Sequence, residues 1–220
     1  TLDANNQIVV GANNATDRVE TVTINGVNLT SGSGVIFTGV AGGGPDVNVN
    51  LAGATVTING GAGVIGGPEA VLNTGATAAT LLSDGGVTLG GINGAGLLGL
   101  APSTPGTDIL IDSTGTGSGY VVPEATLNGI ANTFTDVSIG TPASGTVYVA
   151  ENSNVNLSSR AWNLALAGSD AQLGPNALIV PQNLGILAQS GSITDAPGTG
   201  LTVPGQAVFV ANAGQSVDLG

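Results

Sequence analysis

A chain of 220 residues with 14 acidic side chains, two basic ones and no His, Cys, Met or Lys lacks most of the residue types that carry covalent or metal chemistry. Zinc fingers, Cys and Ser-His nucleophiles, Schiff-base and P-loop lysines and c-type haem attachment are excluded. A net charge of −12 with only Arg18 and Arg160 positive argues against nucleic acid and anionic membranes as partners.

Charged residues make up 7% and aromatic residues 3%, yet hydrophobic residues reach 41% with a positive mean hydropathy, so the chain folds. With 38 Gly, 10 Pro and many Asn, Thr and Ser, the composition predicts short β-branched strands between tight turns. The chain begins Thr-Leu-Asp, without an initiator Met or an apolar leader, which predicts a processed product or an internal piece of a longer polypeptide. No run approaches 18 uninterrupted apolar residues, so no membrane insertion is expected. The absence of Cys fits an exported bacterial surface protein and fits a cytosolic one almost as well.

In chain order, the strand pattern Thr21-Val-Thr-Ile-Asn-Gly26 recurs as Thr55-Val-Thr-Ile-Asn-Gly60, and Val87-Thr-Leu-Gly90 repeats its strand-then-Gly ending. The 34-residue offset reads as coils with insertions, for which 42–46, 60–68 and 101–106 are the predicted loops. From about 145 a period of 23 residues emerges. Gly145, Gly168, Gly191 and Gly214 are equally spaced, Val155 and Leu157 map onto Leu178 and Val180 and then Leu201 and Val203, and Leu164 maps onto Leu187 and Val210. Two or three short strands per unit cannot close a core alone, whereas stacked units bury a continuous one. The predicted fold is therefore all-β: a single β-solenoid domain over 1–220 with coils of about 23 residues and insertions. Coils about 4.8 Å apart, roughly nine or ten of them, make a rod about 45 Å long.

The stretches Gly185-Ile-Leu-Ala-Gln-Ser-Gly-Ser-Ile-Thr-Asp195 and Gln206-Ala-Val-Phe-Val-Ala-Asn-Ala-Gly-Gln-Ser-Val-Asp-Leu-Gly220 resemble the repeats of filamentous-haemagglutinin-like exoproteins of two-partner secretion. The resemblance is good over about 145–220 and weaker over 1–144. It implies a right-handed parallel β-helix passenger, exported to the cell surface or medium. That family's secretion domain carries an Asn-Pro-Asn signature near its start. The nearest match here is Gly174-Pro-Asn176, late and without the first Asn, so the segment resembles shaft rather than secretion domain.

The candidate chemical groups have mostly bland readings. Asp108 and Asp112 fall on one strand face about 13 Å apart, too far for a glycosidase pair, and are expected on a solvated face. Asp195 and Asp218, 23 residues apart, are expected in one column, solvated by default, with a bound calcium as the lesser alternative. Trp162 beside Arg160 is a core or corner filler before it is a sugar-stacking platform, and shares a predicted column with Gly185 and Val208. The sequons at Asn14, Asn28 and Asn156 are no more than this composition supplies by chance. No catalytic, cofactor-binding or metal-ligating residue is therefore expected.

The chain stops at Asp218-Leu-Gly220 within the strand pattern, which predicts further coils or another copy at that edge. Three functions remain: a non-enzymatic adhesin-like fibre shaft, a self-assembling extracellular filament subunit, and, more remotely, a β-helical polysaccharide lyase or hydrolase. The expected partners are neighbouring coils, further copies of the chain through open β-edges, or surface and matrix glycans.

Overall fold

A computed structural model describes residues 2–6, 8–11, 21–24, 28–38, 47–51, 55–75 and 77–220. Over these residues the chain is a parallel β-solenoid, as the repeat predicts, with a one-turn helix, Glu124–Asn128, as its only α-helix among the described residues.

Nine parallel strands form the longest face: Leu2–Ala4, Asn28–Ser31, Thr55–Asn59, Ala78–Leu82, Gly96–Ala101, Phe134–Gly140, Asn163–Gly168, Leu184–Ala188 and Ala207–Ala211, neighbours in that order. Successive residues of a strand point to opposite faces, so alternation gives each strand an inward apolar set. In register these sets become columns. Leu29, Ile58, Leu81, Leu100, Ile139, Leu166 and Ile186 stack one above the next and are all buried. Each such side chain contributes about 1.5–3 kcal/mol on burial. The core is one cluster running from Leu29 to Ile193.

A second, six-stranded sheet orders Ile8–Gly11, Val35–Thr38, Ile65–Asn73, Val47–Leu51 and Thr21–Ile24, with Val87–Asn93 also on Ile65–Asn73; a third orders Tyr120–Pro123, Ile109–Asp112, Val147–Val149, Ala171–Leu173, Ile193–Asp195 and Val217–Asp218; and a fourth carries Val155–Asn156, Ala177–Ile179 and Gly200–Thr202. The corners are closed by small residues. Ser31 Oγ donates to the Gly34 carbonyl at 2.8 Å, and Ser83 Oγ donates in the same way to Gly86. Gly86 has φ +97 and its missing Cβ would strike the Val121 carbonyl, so no other residue fits there.

Several expectations need correction. The repeated Thr-Val-Thr-Ile segments are not equivalent: Thr21–Ile24 pairs with Val47–Leu51 in the second sheet, whereas Thr55–Asn59 belongs to the nine-stranded one. Each face of a parallel solenoid selects the same β-branched alternation, so identical sequence does not distinguish faces. The 60–68 loop ends early, because strand Ile65–Asn73 begins inside it, while 102–106 is a turn after Ala101; 42–46 lies outside the described residues.

The 23-residue step holds for Val155, Leu178 and Leu201, and for Leu187 with Val210. It fails between Asn163–Gly168 and Leu184–Ala188, where Leu164 pairs with Leu184 and Ala165 with Gly185. The step there is 20, and an odd difference of three turns Leu187 to the outer face. Trp162 therefore leaves its predicted column with Gly185 and Val208.

Candidate functional surface

The outward face of the nine-stranded sheet has three columns. The middle one reads Thr57, Thr80, Gly99, Ser138, Ala165, Gly185 and Val208, so nothing larger than Thr stands on it before the last strand. Beside it runs a column of Thr55, Ala78, Leu97, Asp136 and Asn163. Here the polar side chains bond along the rod: Asn163 Nδ2 donates to Asp136 Oδ1 at 2.9 Å and Asn183 Nδ2 donates to Asn163 Oδ1 at 2.8 Å. Asn183 Oδ1 accepts from the Gln206 backbone N–H at 2.7 Å. A second amide ladder, Asn93 to Asn73 to Asn50, lies on another sheet. Sequence reasoning missed both ladders. Their signal is an Asn recurring one rung on, at 20 residues for Asn163 to Asn183 and Asn73 to Asn93 but at 23 for Asn50 to Asn73, so no single period collects them.

Where Asn163, Asn183 and Gln206 border Leu164, Ala165, Leu184, Gly185 and Val208, the face is indented by a groove of about 260 Å³. Gly185 has open space where a Cβ would stand, which leaves the floor of the groove low. On the same face Leu97 projects with 56% of its surface exposed, as do Val208 at 55% and Val210 at 49%. Leu97 sits at an irregularity: Gly96 pairs with Phe134 and Leu97 with Asp136, so Thr135 is an extra residue in the facing strand, and its Oγ1 donates to the Gly96 carbonyl at 2.9 Å. Such a bulge re-aims side chains locally.

Of the carboxylates, Asp108 is exposed as expected, whereas Asp112 and the Asp195–Asp218 pair are not placed as expected. Asp108 is exposed and its Oδ1 accepts the Thr146 N–H at 2.8 Å. Asp112 is fully buried, not solvated: the turn at 113–115 and Asn152 cover it. Its Oδ1 accepts from Thr114 N–H, Thr114 Oγ1–H and Gly115 N–H at 3.0 Å each, and its Oδ2 from Asn152 Nδ2 at 2.9 Å. Burial by itself would raise this carboxyl, but the bonds from Asn152, Gly115 and Thr114 together outweigh it and hold the group below its ordinary value. That is the signature of a structural clamp on the long turn leading to Tyr120–Pro123. Asp195 and Asp218 do not share a column, since Asp218 pairs with Thr194 and Asp195 with Leu173. Among the described residues no group of three or more carboxylates gathers where it could hold a metal ion.

Trp162 is buried, which removes it as a sugar platform, and Arg160 turns back to donate Nη1–H to the Ile130 carbonyl at 3.1 Å. Of the sequons, Asn14 lies outside the described residues; Asn156 is exposed, with Oδ1 accepting the Ser158 N–H. Tyr120 is also wholly buried, and its hydroxyl has no hydrogen-bond partner among the described residues; burial pushes its ionisation upward.

No protein-family model, curated protein or solved structure matches the chain. Among the described residues no helix is long and apolar enough to cross a membrane.

Proposed function

We propose that the chain is a non-enzymatic structural rod, a shaft segment of an exported, adhesin-like bacterial fibre. The observation that carries this reading is the uninterrupted nine-stranded parallel ladder over a single stacked core. A rod built this way sets distance and resists extension and proteolysis, and its loops offer contact surfaces for adhesion or matrix building. The likeness of 145–220 to filamentous-haemagglutinin-like repeats supports placing it outside the cell. Two arginines as the only tryptic sites suit that setting.

A second reading is a filament of copies stacked end to end, in which the parallel rungs that stack within the chain continue from one copy to the next.

Negative-stain microscopy with light scattering on the purified chain separates these readings. Discrete rods about 43 Å long, nine rungs at about 4.8 Å, support the shaft; fibres of constant width and growing length support the filament. Release of reducing or unsaturated sugar ends from polysaccharides would overturn both.

A further inference from the structure

We propose that Asn93-Gly94 is a site of spontaneous covalent modification, at which Asn93 loses ammonia through a cyclic imide and becomes an acid, and that this change reverses the direction of the amide ladder to which Asn93 belongs. The inference rests on local hydrogen bonding and stands whether or not the rod is exported.

The reaction favours Gly after Asn, because the next backbone nitrogen must reach the side-chain carbon and Gly puts no Cβ in the way. Four such pairs occur, at Asn25, Asn59, Asn93 and Asn128, of which the first lies outside the described residues. The other three read Ile-Asn-Gly, Ile-Asn-Gly and Leu-Asn-Gly, so sequence hardly distinguishes them. The fold does. Gly60 N–H donates to the Leu82 carbonyl at 2.6 Å, and Gly129 N–H is shared between the Ala125 and Thr126 carbonyls at 3.0 Å each. A nitrogen held in this way keeps its proton and is not free to turn toward the preceding side chain. Gly94 follows the last residue of strand Val87–Asn93, and its N–H donates to no acceptor among the described residues.

The side chains differ in the same sense. Asn59 Oδ1 accepts from Gly61 N–H and Ser103 Oγ at 2.9 Å each, and Asn128 Nδ2 donates to Glu124 Oε1 and the Asn156 carbonyl at 3.2 Å each. Asn93 is exposed, and its side chain makes one bond among the described residues, from Nδ2 to Asn73 Oδ1 at 2.8 Å. The labile pair is also built into the fold. A Cβ at position 94 would strike Thr74 Oγ1 and the Phe134 ring, and Asn93 heads the ladder that runs through Asn73 to Asn50.

In the reaction the Gly94 nitrogen attacks Asn93 Cγ. The N–Cγ bond forms, the Cγ–Nδ2 bond breaks, and the Gly94 proton leaves with Nδ2 as ammonia. Water then opens the imide, at Cγ to give Asp or at the backbone carbonyl to give isoaspartate. A carboxylate only accepts, so in the Asp product two acceptor oxygens would face each other where Asn93 now donates to Asn73. Turning over the Asn73 and Asn50 amides restores both bonds with opposite polarity: Asn50 Nδ2 donates to Asn73 Oδ1, and Asn73 Nδ2 to the new carboxylate. The ladder keeps its bonds and gains a negative charge at its exposed end.

The test is ageing of the full chain in mildly alkaline buffer, folded and in urea. Cleavage after Glu isolates 70–124, in which Asn73 and Asn93 are the only Asn residues; mass spectrometry locates the acid, and an isoaspartyl methyltransferase reports the iso form. Conversion is expected several times faster at Asn93 than at Asn59 or Asn128 in the folded chain, with the three rates converging in urea. Asn93 reacting no faster than the other two in the folded chain overturns the site. For the ladder, NMR of Asn93→Asp is expected to show the Asn50 side-chain amide protons shifted downfield and slowed in exchange. The aged protein, separated by its added charge, gives the same readout without a substitution. Asn50 amide protons unchanged in both overturn the reversal.

Discussion

Replacing Ile186 and Leu187 one at a time by Ala separates the register of the solenoid from the one its repeat suggests. Ile186 is buried between Leu166 and Phe209 in the inward column, whereas Leu187 is half-buried on the outer face between Ala167 and Val210. Truncating a buried Ile loses its transfer energy and leaves a cavity that the stacked neighbours above and below refill only in part, about 2–5 kcal/mol. Truncating Leu187 forfeits only partial burial, about 1 kcal/mol or less. Urea denaturation followed by circular dichroism reads the difference as a shift in midpoint at constant slope. Because stacked coils open from their ends, amide exchange over 184–195 is the local readout and should accelerate in Ile186→Ala alone. Equal costs, or a larger cost for Leu187→Ala, would refute the 20-residue step and restore a uniform step of 23.

Removing the clamp with Asp112→Ala leaves the Thr114, Gly115 and Asn152 donors without their acceptor and should cost about 2–4 kcal/mol. Since the native carboxyl titrates below its ordinary value, its stabilising contribution is present above about pH 4 and is lost as pH falls through the lowered native value. An acid titration of stability should therefore be shallower in the variant, and parallel curves would exclude the clamp. Tyr120→Phe deletes a buried, unpartnered hydroxyl and should leave stability unchanged or raise it by about 1 kcal/mol. A clear loss in urea denaturation would show that the hydroxyl has a partner.

The β-solenoid was legible because every inward position asks for the same thing. Val, Ile and Leu in alternation, broken by Gly, Asn and Asp, is what a stacked parallel rung needs, and Val155, Leu178 and Leu201 repeat it without insertion. The register was legible only where turns keep constant length. Between Leu164 and Leu184 the chain is three residues shorter, and periodicity has no means of seeing a turn shrink when Leu187 offers an equally apolar match. The same blindness made Thr21–Ile24 and Thr55–Asn59 look equivalent although they lie on different faces. Asp112 was misread for another reason. Strand alternation does put it on the outer side, but alternation says nothing of Asn152, forty residues on, which folds over it. The small middle column of the outward face was hidden in plain composition, since it appears only once the rungs align Gly99, Ala165 and Gly185.

Hydrogen exchange with residue-level mass spectrometry tests the continuous ladder most directly. One stacked core requires strong protection through Gly96–Ala101, Phe134–Gly140 and Asn163–Gly168, declining coil by coil toward Ala207–Ala211, with rapid exchange in the turn at 113–119. A protected block confined to one part of the chain, with the remaining strands exchanging as fast as that turn, would contradict a single load-resisting rod.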